Sequence, residues 1–426
     1  MIRFIYNLLW PVGLVFFLPR YLVKMFRRGG YREKFGQRLG FYDAAVREKL
    51  SGKRSIWLHA VSVGEVRIAL KLAAELRSLQ PELHCVLTTT TTTGFAFANR
   101  NAPPLIEVMY NPLDFWPIVR RAFAVIKPAK IVLIEAEVWP NLVAEAHRRR
   151  IPIVLANARL SPRSEKRFRR FRSFVAPTFR MLDRICVQEP ADIERWTALG
   201  VDSNRIRRTG SIKFDPSDLR VDRTSAENGL RDFKIDNHRP IFLAGSTHPG
   251  EEEILARTFV DLRKEFPDLF LILAPRHVER AREILQDMEQ LGLCATLRSR
   301  ALEDSRLDCL IIDSTGELPN WYAVATVVFI GKSLAAIGGQ NPVEPIAAGK
   351  PVVFGPHMEN FAVLARELVN HGGAIQIQTG ADLKQAVGDL LGGENLRKEM
   401  VERARATLEE HRGATALTAR LIAEVG

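Results

Sequence analysis

The side chains best suited to chemistry are acids that stand where apolar runs stop. The run 55–60 (SIWLHA) is followed by Val61, Ser62, Val63, Gly64 and Glu65. A helix opening near Gly64 puts Glu65 in its first turn, at the C-terminal end of a strand, where open α/β sheets bind ligands. An acid there complements the helix dipole. It can also serve as a general base, taking the proton of an attacking hydroxyl within hydrogen-bond reach. Ser62 reads as a local cap rather than a nucleophile, and His59 as a core histidine.

The run 131–135 leads into Glu135, Ala136, Glu137, Val138, Trp139, Pro140 and Asn141. Strand alternation would turn Glu135 and Glu137 to one side. Two acids that close are costly unless one meets an arginine, a hydroxyl or a proton. The pair therefore reads as part of a site, with a helix-entry acid and a packing Trp139 as the plainer alternative. Asn157 to Ser161 follow the next run. Arg163, Lys166, Arg167, Arg169, Arg170 and Arg172 come after, with Glu165 opposed. They make a solvated helix face or an anionic-surface contact.

In the second half, 240–244 runs into a small-residue turn, Gly245 to Glu252, that offers N–H groups to an anion, with Ser246 and Thr247 as phosphate contacts. No GK[ST] triplet is present there, which argues against an ATPase. Arg276 follows the next run and suits a phosphate. Gly338 and Gly339 open a helix at Asn341 or Pro342. Glu344, one turn in, can accept both hydroxyls of a ribose, and Asn341 can take a phosphate.

These residues need a scaffold. Short apolar runs alternate with amphipathic stretches from residue 55, at 55–60, 84–88, 105–110, 131–135, 152–156 and 184–188. Helices are predicted at 64–79 and 140–149. The pattern pauses at 211–238 and resumes at 240–244, 269–274, 293–297, 309–312, 326–330, 351–354 and 374–377, with a charged helix near 395–410. Strand–helix alternation implies parallel sheets covered on both faces. The fold class is α/β, with two doubly wound Rossmann-like domains facing across a cleft. The expected divisions are an anchor at 1–26, a first domain at 27–215, a linker at 216–238 and a second domain at 239–426.

The 426 residues suit two such domains. A net charge of +12 fits nucleic acid, an anionic membrane or a phosphorylated substrate. No zinc-finger, homeodomain or RNP-like pattern is present, which argues against nucleic acid. Residues 4–18 are apolar and precede Arg20, Lys24, Arg27 and Arg28, which predicts a membrane anchor, spanning or interfacial, with the rest of the chain cytoplasmic. Arg32, Lys34 and Arg38, among glycines and aromatics, are candidates for anionic headgroups. Cys85, Cys186, Cys294 and Cys309 form no CxxC pair and read as reduced thiols.

The stretches HAVSVGEV, EAEVWPN, NARLS, GSIKFD, GSTHPGEEE, PRH, GEL and GGQNPVEPIAAGKPVVFGPHMENF resemble the Kdo (3-deoxy-D-manno-octulosonic acid) transferases of Gram-negative lipopolysaccharide biosynthesis. The resemblance runs in order from the N-terminal segment to about residue 361. It implies the GT-B fold, CMP-Kdo as donor, lipid IVA as acceptor, inversion at the anomeric carbon, no metal and no other cofactor. By motif it implies Glu65 as the base for the acceptor's 6′ hydroxyl and Glu137 as a second essential acid. It further implies a nucleotide pocket of Arg276, His277, Gly316, Glu317, Leu318, Asn341 and Glu344, and Lys213 as a neutraliser of the leaving phosphate. Ala136 stands where many members have Thr. The competing readings are a UDP-sugar transferase or epimerase of the same architecture and a non-catalytic membrane scaffold.

Overall fold

A computed structural model describes residues 3–10, 13, 34–160, 162–217, 219, 221–300 and 307–425. The chain forms two compact units, residues 1–213 with 413–426, and residues 214–412.

The first unit holds a parallel sheet of β1 (Ser55–Ala60), β2 (His84–Thr89), β3 (Ile106–Tyr110), β4 (Pro128–Ile134), β5 (Ile153–Ala158), β6 (Arg184–Val187) and β7 (Ile206–Arg208), in the order β3-β2-β1-β4-β5-β6-β7. Its central strands β1, β4 and β5 are largely apolar because both faces are covered. Trp57, Ile131 and Leu133 pack into one core, while Ile56, Leu58, Val132 and Ile134 pack into another. The order reverses direction at β1 and β4, whose C-terminal ends carry the segments with Glu65 and Glu137.

The second unit repeats the plan with β8 (Ile241–Thr247), β9 (Phe270–Pro275), β10 (Ala295–Leu297), β11 (Cys309–Ile311), β12 (Val327–Ile330), β13 (Val352–Phe354) and β14 (Ile375–Gln376), in the order β10-β11-β9-β8-β12-β13-β14. Ile241 and Leu243 face one core, Phe242 and Ala244 the other. The two-domain α/β expectation holds, and each expected strand is present within a few residues. The short β7 was not anticipated.

Two boundaries differ from the sequence reading. The expected linker 216–238 contains helix Arg223–Asp232, capped by Asp222 on Ser225 N at 3.1 Å. Its Ala226 and Leu230, with Phe233 and Ile235, belong to the second unit's core. The final helix, Ala414–Glu424, belongs to the first unit. Ala414, Ala419, Leu421 and Ile422 fill the core beside helix Val63–Leu79, so the second domain does not run to residue 426.

Residues 3–10 are helical and dock on the first unit. The Asn7 and Asn141 amides bond reciprocally at 2.8 and 3.0 Å, Trp116 N donates to Asn7 Oδ1 at 3.2 Å, and Trp10 stacks on Phe115. Phe4, Ile5, Leu8 and Leu9 point outward. Among the described residues no helix is long and apolar enough to cross a membrane. Most of the expected anchor 1–26 lies outside the described residues. All four cysteines are free thiols.

Candidate active site

At the end of β1 the chain turns through Val61 and Ser62 into helix Val63–Leu79. Ser62 is extended and caps the helix. This turn draws the Glu65 carboxylate back toward the strand: Val61 N donates to Oε2 and Ser62 Oγ to Oε1, both at 2.8 Å. Glu65 is 8% exposed. Burial raises its proton affinity, and the bonds from Val61 and Ser62 pull it back toward the ionised form.

β4 stops at Ile134, one residue before the first acid. Glu135 takes a left-handed conformation (φ 61°), and its N–H still bonds Ala156 O at 2.9 Å. The sharp turn, rather than strand alternation, brings Glu135 and Glu137 into one field with Glu65. Burial raises the Glu135 pKa and Glu65 raises it further, against the pull of Lys213 and Arg159. Glu137 is pushed up to about 7 by burial, then by the negative charges of Glu65 and Glu135. The Lys213 ammonium is pushed down by burial, with Arg159 and Arg67 acting the same way and Glu135 opposing.

Asn157 fixes Lys213 at this edge. It is the penultimate residue of β5, in a left-handed conformation (φ 53°), and its Oδ1 accepts Ile212 N at 3.0 Å. Gln188 Nε2 donates to its carbonyl at 2.9 Å. With Ile212 buried in the core, the next residue must emerge beside the acids. Three carboxylates and a lysine thus share the strand ends of the first sheet. Such a group can take one proton and steady negative charge.

In the second unit the sequence-predicted nucleotide residues follow four strands that adjoin in the sheet, β11, β9, β8 and β12. Ser246 follows β8's core residues in a left-handed conformation (φ 57°). Gly331 lies against it: a Cβ at 331 would meet Ser246 O at 2.3 Å. Arg276 and His277 are exposed after β9, and Arg276 N donates to Thr247 O at 3.0 Å. Gly316 is exposed after β11, and Glu317 immediately precedes the short helix Leu318–Tyr322, its Oε2 accepting Trp321 Nε1 at 3.4 Å. After β12, Asn341 Nδ2 donates to Glu344 Oε1 at 3.0 Å, and Val343 N donates to Asn341 Oδ1 at 3.1 Å. Asn341 and Glu344 are thereby oriented by each other before any ligand arrives.

A family model described as 3-deoxy-D-manno-octulosonic-acid transferase matches residues 33–216. A 3-deoxy-D-manno-octulosonic acid transferase of Haemophilus influenzae is 33% identical over 388 residues, 90% of this chain and 89% of the relative. One from Bordetella pertussis is 33% identical over 406 residues, 92% of each. The chain belongs to the Kdo transferase family. The UDP-GlcNAc 2-epimerase of Neisseria meningitidis, bound to UDP-GlcNAc, aligns with a TM-score of 0.56 over 88% of this chain and 99% of its own, at 12% identity. That likeness shows a GT-B-like pair of Rossmann-like units.

For a Kdo transferase, two sequence-predicted contacts, Thr247 and Arg38, are placed unexpectedly. Thr247 is fully buried, and its hydroxyl donates to Glu252 Oε1 at 2.9 Å, a carboxylate that Arg280 also holds at 2.9 Å. Its hydroxyl is thereby engaged within the framework of the second unit. Arg38, 6% exposed, donates to Thr90 O at 2.7 Å and lies 4.0 Å over the Tyr110 ring. A buried guanidinium must be satisfied locally, and this one is engaged by the fold rather than offered to an acceptor. Lys34 is exposed, with Nζ 5.5 Å from the Phe95 ring centre. Arg32 lies outside the described residues.

Glu251 was missed. It is fully buried and accepts four backbone N–H groups: His248 at 2.9 Å, Lys332 at 2.7 Å, Ser333 at 2.9 Å and Leu334 at 3.0 Å. It binds the loop after β8 to the loop after β12. The run GEEE at 250–253 signalled a helix-start acid, but not that this acid reaches across to another strand's loop.

Proposed function

We propose that this Kdo transferase moves Kdo from CMP-Kdo to lipid IVA, with inversion at the anomeric carbon. Glu65 is the general base. It takes the proton of the acceptor's 6′ hydroxyl as that oxygen bonds to the anomeric carbon of Kdo. The bond from that carbon to the phosphate oxygen breaks, and CMP leaves with the electron pair. Lys213 neutralises the phosphate as charge develops, since donors aimed at developing charge lower the barrier most. Glu137, sharing a proton with its acidic neighbours, hydrogen-bonds the acceptor. Arg276, His277, the 316–318 turn, Asn341 and Glu344 hold the nucleotide, with Ser246 beside its phosphate. The reaction so written uses no metal.

The observation that carries this reading is the Glu65 carboxylate, buried at a strand end yet held by two donors, with two further acids in its field. Such a base combines raised proton affinity with fixed orientation.

The same reading puts the enzyme on the cytoplasmic face of the inner membrane, with the N-terminal segment as an interfacial anchor. The outward Phe4, Ile5, Leu8 and Leu9, near an exposed Trp116, support insertion at headgroup depth. Incubation of lipid IVA and CMP-Kdo with the enzyme should add the mass of Kdo to the lipid. Absence of that product at enzyme concentrations that bind CMP, or transfer from a UDP-sugar instead, would sink the proposal.

A further inference from the structure

The second unit carries a cavity of about 660 Å³ at the opposite edge of its sheet from the nucleotide residues. Ala325 and Thr326, which lead into β12, line it together with Gly349, Lys350 and Pro351, which lead into β13. The remaining wall is helix Glu394–Glu409 and Arg223. These are the N-terminal ends of the strands, whereas Ser246, Arg276 and Asn341 follow the C-terminal ends.

Five basic side chains and two carboxylates line this cavity. Lys398 is paired with Glu394 at 2.7 Å, and Arg223 with Glu227 at 2.7 Å. Arg397 donates to Leu391 O at 2.9 Å, at the end of helix Gly380–Gly392. Lys350 and Arg405 have no ion pair among the described residues, and Glu402 is the remaining acid in the lining. Burial pushes the Lys350 ammonium down to about 8, and Arg223 and Arg397 push it the same way. Gly349 (φ 75°) makes room for the guanidinium: a Cβ there would lie 2.5 Å from Arg405 Nη2.

Cations gathered around a cavity repel one another, and folding gathers them at a cost that a bound anion reverses. Arginine presents a planar fork that matches phosphate oxygens, and lysine a compact charge. The volume falls in the range of small-ligand sites. We propose that this cavity binds a phosphate-bearing anion through Lys350 and Arg405. The phosphate comes from a free phosphorylated metabolite or from a phosphomonoester lipid headgroup, and both present the same dianionic oxygens.

The test is titration of the full chain with inorganic pyrophosphate at constant ionic strength, with saturating CMP occupying the other edge of the sheet. Wild type should bind at least tenfold more tightly than Lys350→Met or Arg405→Met. Equal binding by all three, or none by wild type, would overturn the proposal. Should a variant fail to fold, NMR of ¹³C-methylated lysines in the wild type gives the answer. Pyrophosphate should move the Lys350 midpoint upward from about 8, and an unmoved midpoint counts against the site. A second arm distinguishes the sources. Vesicles of phosphatidylcholine with phosphatidic acid that compete with pyrophosphate identify a headgroup, and vesicles that do not compete identify a soluble ligand.

Discussion

Ser62 and Glu65 bond each other in both directions: the serine hydroxyl donates to Oε1 at 2.8 Å and accepts the Glu65 N–H at 3.5 Å. One residue therefore caps the helix and steadies the ionised form of the base. Ser62→Ala removes both effects. Losing the cap should cost about 1 kcal/mol, read by urea denaturation. Losing the donor should raise the Glu65 pKa further, so the acid limb of kcat/KM should move to higher pH by up to about one unit. An unmoved acid limb would mean that Glu65 is not the group titrating in that profile.

Glu65→Gln keeps the shape and removes the base. Turnover of CMP-Kdo and lipid IVA should fall by a factor on the order of 10²–10⁴, while CMP binding stays within about twofold by calorimetry. Full turnover by this variant would leave the non-catalytic scaffold reading standing and remove the proposed mechanism.

Much of this architecture is legible in the sequence for a simple reason. Strands buried on both faces read as unbroken apolar runs, as in Ile131 to Ile134, and acids placed just past them fall at strand ends. What is not legible depends on contacts distant in sequence. The apolar face of Ala414–Glu424 says that it will be buried, but not that it returns to the first unit. Thr247 lies in a turn that looks suited to phosphate, yet its hydroxyl is taken by Glu252. The nearness of Glu135 and Glu137 was anticipated by strand alternation, but the strand ends at Ile134 and a left-handed turn at Glu135 does that work. Arg38 shows the opposite error. A basic residue among glycines and aromatics suggests a solvent-facing cradle, and the aromatic Tyr110 instead holds it inside.

Glu251 converts two loops into one body. Replacing it with Ala leaves four backbone N–H groups without their acceptor. Each buried unsatisfied group costs about 1–3 kcal/mol, so the variant should lose at least about 3 kcal/mol in urea denaturation. The same change frees the loops bearing Ser246 and Lys332, so the KM for CMP-Kdo should rise by about tenfold or more in whatever fraction remains folded. Glu251→Gln should fall between, because its amide NH₂ faces N–H groups that need an acceptor. A variant with wild-type stability would show that the four bonds are replaced by water.

Glu137 supplies a prediction whose sign follows from its surroundings. Its folded pKa is about 7, above the usual 4.5, because burial and the charges of Glu65 and Glu135 favour the protonated form. Below pH about 4.5 the side chain is protonated in both folded and unfolded chains and carries no penalty. Between pH about 4.5 and about 7 the unfolded chain ionises it while the folded chain keeps the proton, so the folded chain loses stability relative to the unfolded chain, and the loss is complete above about 7. Glu137→Gln removes that loss. The variant should match wild type near pH 4.5 and exceed it by about 1–2 kcal/mol at pH 8, after allowance for solvent screening. Its activity should fall in spite of the added stability, the trade expected where strain at a site serves function. Urea denaturation of both proteins across this pH range reads the difference directly. A gap that shrinks as pH rises would show that Glu137 is ionised and paired in the folded chain, and its proposed shared proton would then be absent.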